Sequence, residues 1–393
     1  MTVRKTDDVN TAVERARAEL PIVSRRIFFN TGWSGPSPRL VLDEQKRMLE
    51  WLSTEGVSHH NYAQLSKDLD VLRSRLAALF GADADEIAIA RSTTSGINIV
   101  LGGFDWERGQ KVVTTNVEHG AVLIPVYALR DRYGVEVEIV DLSDGRNVLR
   151  KLARAIDKRT KLVVLSHVSF NTGLRLPLKE LAALVADRGT QLLVDGAQSA
   201  GAIKVNFHEI GCDYYAFPGH KWMLGPDSTG ALYIRRDRLA GLKLCFAGNE
   251  SAKKFDSRGK VVYQRTARKF EMCDFNATLI SGWLKALDFM EEFGVDSIER
   301  AIRENTGYLK TKLARVKGVR VLTPRKWTQS AGLVSIEFVR KRAKDAFAAL
   351  LKQGIIVRYT PPPSYLRISV NYFNTRAEMD ALVDALERFS RKA

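Results

Sequence analysis

From about residue 84 onward, short runs of β-branched and other apolar residues alternate with longer stretches in which apolar positions recur every three or four residues. The unbroken short runs suit strands buried on both faces, and the longer spacing suits helices with one buried stripe. Strands are predicted at Lys111–Thr115, Val135–Asp141, Lys161–Ser166, Gln191–Asp195, Tyr214–Phe217 and Gly230–Ile234. Helices are predicted between most of them, at Gly120–Tyr133, Asn147–Ile156 and Leu178–Asp187. Strand and helix in alternation read as an α/β sheet of mainly parallel strands with both faces covered.

The last third changes character. Helical periodicity covers Leu279–Phe293, Asp296–Val316, Lys344–Lys352 and Arg376–Phe389, with strand-like runs at Leu333–Phe338 and Leu366–Val370. That mixture predicts a smaller α+β unit. A helix at about Val9–Leu20 can pack with either part. The length of 393 residues fits two such units better than one core.

Composition narrows the class only a little. Apolar residues make up 45% and charged residues 27%, as in ordinary globular chains. The first twenty residues hold no apolar core of a secretory signal, and no apolar run is long enough to span a bilayer. Three cysteines, Cys212, Cys245 and Cys273, form neither a disulfide framework nor a metal-binding spacing. A reducing cytoplasm is the simplest expectation. The net charge of +16 would attract nucleic acid, but the basic residues are scattered, and the densest run, residues 340–344, suits a solvated helix face. Nucleic acid is therefore not the expected partner.

The chemistry concentrates where strands end, which is where open α/β sheets bind ligands. Asp195 closes one apolar run, and Lys221 lies between Phe217 and Trp222 in "AFPGHKWMLGP". Desolvation disfavours an ammonium, so a lysine in a dry setting becomes a neutral nucleophile able to bond an aldehyde. Pyridoxal phosphate (PLP) uses such a lysine together with an acid on its ring nitrogen. A snorkelling lysine and a helix-capping aspartate would explain each residue singly; the pair, with His220 beside it, favours the cofactor. "RSTTSGINIV" (91–100) places Thr94 and Ser95 at a helix start, where free N–H groups hold phosphate.

The stretch "VDGAQSAG…DYYAFPGHKWMLGPDSTGALYIR" resembles the class V aminotransferase family of PLP enzymes, which includes the cysteine desulfurases. "FFNTGWSGPSP" (28–38), "VVLSHVSFNTGLRLPLKELA" (163–182) and "LRISVNYFNTRAEMDALVDAL" (366–386) extend the likeness over nearly the whole chain. It is closest to the cysteine/cystine C–S lyases and the isopenicillin-epimerase-like proteins. The resemblance implies fold type I: a large domain, residues 30–270, with a mainly parallel seven-stranded sheet, and a small α+β domain made of 1–29 and 271–393. It implies that Lys221 forms the Schiff base with the cofactor, Asp195 pairs with its ring nitrogen and Gln198 bonds its phenolic oxygen. His119 of "VEHG" would stack on the ring, and Thr94, Ser95 and His220 would hold the phosphate. Arg367 would anchor the carboxylate of an amino-acid substrate, with Arg358 and Asn171 in the same pocket. A homodimer with a shared active site is also implied.

Two departures from the family pattern bear on the reaction. The family's threonine after "RFE", which reaches the neighbouring subunit's phosphate, is Asp274 here, in "RKFEMCDFN" (268–276), and a carboxylate repels phosphate unless screened. Desulfurases carry a nucleophilic cysteine just before the terminal arginine; here that loop is "YTPPPSY" (359–365), stiffened by three prolines and without cysteine. The expected reaction is elimination of a sulfur group from a cysteine-like amino acid. Transamination and epimerisation remain open, because the cofactor serves all three.

Overall fold

The computed structural model describes residues 9–272, 275–361 and 364–391. Its central sheet has seven strands: β1 (Ile87–Ala90), β2 (Lys111–Thr115), β3 (Glu136–Val140), β4 (Thr160–Ser166), β5 (Gln191–Asp195), β6 (Tyr214–Pro218) and β7 (Gly230–Ile234). Their spatial order is β1-β7-β6-β5-β4-β2-β3. The four pairings from β6 to β3 are parallel, and β7 runs antiparallel to both its neighbours. Every residue of β6 and β7 is buried, as the unbroken apolar runs require.

Helices cover both faces: α2 (Arg39–Glu55), α3 (His59–Phe80), α4 (Thr93–Gly102), α5 (Gly120–Tyr133), α6 (Val148–Ala155) and α7 (Leu178–Asp187); α1 (Val9–Ala18) is tied instead to the C-terminal part, where Arg17 donates to the Phe373 carbonyl and pairs with Glu378. One cluster of buried side chains joins α2, α3 and α7 to Phe207, Phe217 and Trp222; another joins α4 and α5 to the opposite face.

The strands and helices predicted between residues 111 and 234 appear within one residue of their expected ends, and the N-terminal helix ends two residues early, at Ala18; β1 was not predicted. β1 is only four residues long, and so short an apolar run after the polar turn at 81–86 does not tell strand from helix by periodicity alone. Helices α2 and α3 were not predicted either. In α3 the buried residues from Leu69 to Phe80 crowd into the C-terminal half, while the first half is polar and mostly exposed, which blurs any stripe.

The C-terminal part is built on α8 (Ala277–Phe293), α9 (Val295–Leu313), α10 (Ala343–Lys352) and α11 (Arg376–Arg391). Helices α9, α10 and α11 pack on a second sheet of β8 (Val319–Val321), β9 (Leu333–Phe338), β10 (Arg358–Tyr359) and β11 (Leu366–Ser369), all antiparallel, in the order β8-β9-β11-β10, while α8 packs on α2 and α3. This sheet has its own apolar core, in which Leu309, Ile336, Ile368 and Leu386 are fully enclosed. The chain near the N-terminus is tied to this unit: Ile27–Phe28 pairs in parallel with Ile355–Ile356, and Asn30 bridges to Ser369.

Glu271 of the "RKFE" stretch is buried against the central sheet. It accepts both Nε and Nη2 of Arg73 and the backbone N–H of Ile89, so it fastens α3, β1 and the start of the C-terminal part together. Among the described residues no helix is long and apolar enough to cross a membrane.

Candidate active site

The carboxyl ends of β2, β4, β5 and β6 open onto a cavity of about 220 Å³. Its wall includes Ser92, Thr93 and Thr94 from the start of α4, His119 before α5, Ser166 at the end of β4 and Phe170 beyond it. Asp195, Ala197 and Gln198 line it after β5, and Pro218, His220 and Lys221 after β6. Six of the residues singled out in the sequence therefore meet in one place: Thr94, His119, Asp195, Gln198, His220 and Lys221.

The loop bearing Lys221 is held from the N-terminal side of the chain. The N–H of Gly35 donates to the carbonyl of His220 at 2.7 Å. A Cβ on Gly35 would stand 2.1 Å from the Lys221 carbonyl, so only glycine permits this approach. The side chain of Lys221 is partly exposed, but only as part of the cavity wall. Protein encloses it, and that burial brings its amine down to about 8, with Arg367 and Arg358 acting in the same direction and Asp195 opposing.

Asp195 is 3% exposed and takes one hydrogen bond, from the N–H of Ala197 at 2.8 Å. Burial pushes its carboxyl up, while Lys221 and the Ala197 N–H oppose. A carboxyl in this state is suited to a cationic partner brought by a ligand. His119 caps α5 by accepting the N–H of Ala121 at Nδ1, 3.1 Å away, and its ring meets Phe170 edge-on. Burial, then the charges of Lys221, Arg358 and Arg367, brings this imidazole down to about 4, so it is a neutral ring at physiological pH. Burial likewise lowers the basicity of His220, whose Nδ1 lies 3.4 Å from the Thr229 carbonyl. Gln198 donates to the Gly32 carbonyl at 2.8 Å and accepts the indole N–H of Trp222, which leaves one amide hydrogen for a ligand.

At the start of α4, the structure distributes the hydroxyls differently from the expectation. Ser92 is the N-cap, and the Ser95 hydroxyl accepts the Ser92 N–H and donates to the Ser92 carbonyl. Ser95 is thus engaged in a capping box and does not line the cavity. Thr93 supplies what Ser95 does not: its hydroxyl is buried without a partner at the same helix end.

Arg358 and Arg367 do not line the cavity; they lie on the small sheet, facing each other across β10 and β11, near enough for their charges to act on Lys221 and His119. Like charges in register repel, and among the described residues neither has a carboxylate partner. Arg367 is 1% exposed; Nη1 donates to the Phe170 carbonyl at 3.1 Å, while Nε and Nη2 have no partner. Burial, then Arg358, lowers it to about 9. The guanidinium of Arg358 stacks 3.9 Å from the ring centre of Trp33, which is 56% exposed. Asn171 is buried beside this region, accepting from Ser169, and does not line the cavity. Asp274 and the middle of the 359–365 loop lie outside the described residues. Sequence reasoning passed over Thr93, Phe170, Trp33 and Gly35. The S-x-x-S spacing at 92–95 was a usable capping signal; the contact of Trp33 with Arg358 had none, because more than three hundred residues separate them.

The unpartnered Thr93 hydroxyl fits a phosphate, the cation-seeking Asp195 fits a ring nitrogen, the neutral imidazole fits a stacked ring, and the neutral-leaning amine fits an aldehyde. Fold and cavity together define a PLP enzyme of fold type I. The chain belongs to the aminotransferase class-V family, whose model matches residues 27–382. It is 27% identical over 407 residues to a cysteine desulfurase of Yersinia pestis, covering 98% of this chain and 99% of the relative. A cysteine desulfurase of Pectobacterium atrosepticum is also 27% identical, over 96% and 98% of the two chains. Among solved structures, the cystine C–S lyase C-DES in complex with cysteine persulfide superposes with a TM-score of 0.89 at 29% identity, covering 94% of this chain and 99% of that one. A C-DES mutant with glycine covalently linked to its PLP cofactor gives 0.90 at 28%, over 97% and 99%.

Proposed function

We propose that this chain is a PLP-dependent C–S lyase that removes a sulfur substituent from a cysteine-like amino acid. Bound in the cavity, the cofactor would supply an electron sink for the bond that breaks at the substrate's α-carbon. The protein's own groups do the rest. Lys221 would hold the cofactor, and its Nζ is the group that would take the substrate's α-proton. Asp195 would keep a ring nitrogen protonated, and the neutral His119 ring would pack on the cofactor. The free N–H groups and hydroxyls at the start of α4, with His220, would hold the phosphate. Arg367 would offer its unpartnered Nε and Nη2 to the substrate carboxylate, with Arg358 adding a second positive charge across the strand pair. The Cα–H and Cβ–S bonds break, sulfur leaves with the electron pair, and hydrolysis yields a keto acid and ammonia.

The observation that carries lyase over desulfurase is the 359–365 stretch beside Arg367, which contains no cysteine to take up sulfur. Cys212 is fully buried, and burial pushes its thiol up, away from the reactive thiolate. Cys245 packs against the carbonyls of Asn98 and Ile99, well along α4 from the end that lines the cavity. The test is a single tube of PLP-loaded protein with L-cystine. Keto acid accumulating over many turnovers while the cofactor's absorption persists is the expected result. Bleaching of that absorption after one equivalent, restored only by added keto acid, would identify an aminotransferase instead.

The same reading includes a homodimer, a small domain formed from residues 1–29 and 271–393, and a large one from 30–270. A groove of about 440 Å³ between α2, α3 and the start of α8 supports the dimer, because Leu49, Val57 and Tyr62 are exposed at its rim. Sedimentation equilibrium should give twice the 44.0 kDa chain mass; a monomer at micromolar concentration would exclude it.

A further inference from the structure

Glu118 is a buried acid that the reaction above does not use. It is 4% exposed and sits in the turn between β2 and α5, immediately before His119. One carboxylate oxygen accepts the Thr115 hydroxyl at 2.6 Å, and the other accepts the hydroxyl of Ser166 in a short contact. Ser166 lines the cofactor cavity, and β4 pairs Ser166 with Asp195 of β5 in register. The turn itself is pinned twice more, by the Val117 N–H to the Thr115 hydroxyl and by the Ser169 hydroxyl to the Val117 carbonyl. Among the described residues no cation pairs with Glu118. The groups that bear on its charge are the hydroxyls of Thr115 on β2 and Ser166 on β4, which stabilise the anion, and Asp195 on β5, which opposes it; His119 follows it in the turn.

A buried carboxylate without a cation is costly, and the hydroxyls only partly offset this. Burial, reinforced by Asp195, raises Glu118 to about 7. Two acids that interact titrate as a pair, and a cation arriving at one of them favours ionisation of both. A protonated ring nitrogen on Asp195 is such a cation.

We propose that Glu118 is a positioning residue for the cofactor: it clamps Ser166 and the turn that carries His119, and its negative charge behind Asp195 strengthens the hold on a protonated ring. The proposal rests on the PLP reading of the cavity.

The test compares wild type, Glu118→Gln and Thr115→Val, each reconstituted with PLP and titrated between pH 6 and 10 by cofactor absorbance. Affinity of the apo-protein for PLP is read separately by tryptophan fluorescence. Glu118→Gln removes the charge but keeps the shape. Thr115→Val leaves the acid in place and withdraws a donor that stabilises its anion, without touching the cavity wall. Less negative charge lowers the proton affinity of the bound chromophore, so both variants should shift its transition to lower pH. The expected shift is roughly half a unit to one unit. PLP affinity should fall by about threefold to tenfold in Glu118→Gln. A purely structural Glu118 would change the melting temperature and leave the transition in place. Titrations that superimpose on wild type, whatever the melting temperature, overturn the proposal alone. Failure of the wild-type protein to bind PLP overturns the reading of the cavity and this proposal with it.

Discussion

Lys221→Ala should lower turnover by roughly 10⁴-fold, because one side chain serves as both cofactor anchor and proton acceptor. A kinetic loss alone would fit several roles. Borohydride reduction of the PLP-loaded protein separates them, since it makes a lysine–cofactor bond permanent and visible as a mass increase on the peptide containing residue 221. Covalent trapping that survives in Lys221→Ala would mean that another lysine holds the cofactor. The wild-type protein offers a matching pH test. Only a neutral amine attacks an aldehyde, and enclosure holds Lys221 at about 8. The rate at which apo-protein captures PLP should therefore rise with pH through a midpoint near 8 and level off, well short of the 10.5 of an unburied lysine.

Arg367→Met should act in opposite directions on binding and stability. In the native protein Arg367 is enclosed with Nε and Nη2 unpartnered and a second guanidinium across the strand pair. Orphaned buried donors cost about 1–3 kcal/mol each, and an apolar side chain of similar volume removes that cost. The apo-variant should unfold at higher urea concentration than wild type. The same change removes the fork that would grip the substrate carboxylate, a loss of about 2–5 kcal/mol, or about thirtyfold to several thousandfold in kcat/KM. A variant that loses stability but keeps kcat/KM would make Arg367 a structural residue. A gain in one and a loss in the other is the pattern of a side chain kept for its ligand.

Much of this site was legible before any coordinates. Asp195 and Lys221 end or follow apolar runs, and such runs become parallel strands whose carboxyl ends converge. Position in the sequence thus maps almost directly onto position around the cavity for Thr94, His119, Asp195 and His220. Legibility failed where identity of residue type had to decide between neighbours. Four consecutive hydroxyl residues, Ser92 to Ser95, open α4, and only the cap geometry shows that Ser95 bonds back to Ser92 while Thr93 is left buried and unpartnered. It failed again for contacts closed by the fold rather than by the local chain. Trp33 on Arg358 and Glu271 on Arg73 join segments whose spacing carries no periodic signal. Glu118 was invisible for another reason: beside a histidine in a loop, an acid reads as solvated, and only the enclosing strands make it a buried charge.

The strand pair of Ile27–Phe28 with Ile355–Ile356 has a consequence for biosynthesis. The cavity residues, from Thr93 to Lys221, precede the small sheet in the chain and come together through strands that emerge from the ribosome earlier. Arg358, Arg367 and the partner strand of Ile27–Phe28 come only near the end. Until then the segment that carries Gly35 has no small sheet to pair with, and its grip on the Lys221 loop lacks its second anchor. A nascent chain would therefore complete the cavity around Lys221 well before the arginines of the small sheet could join it.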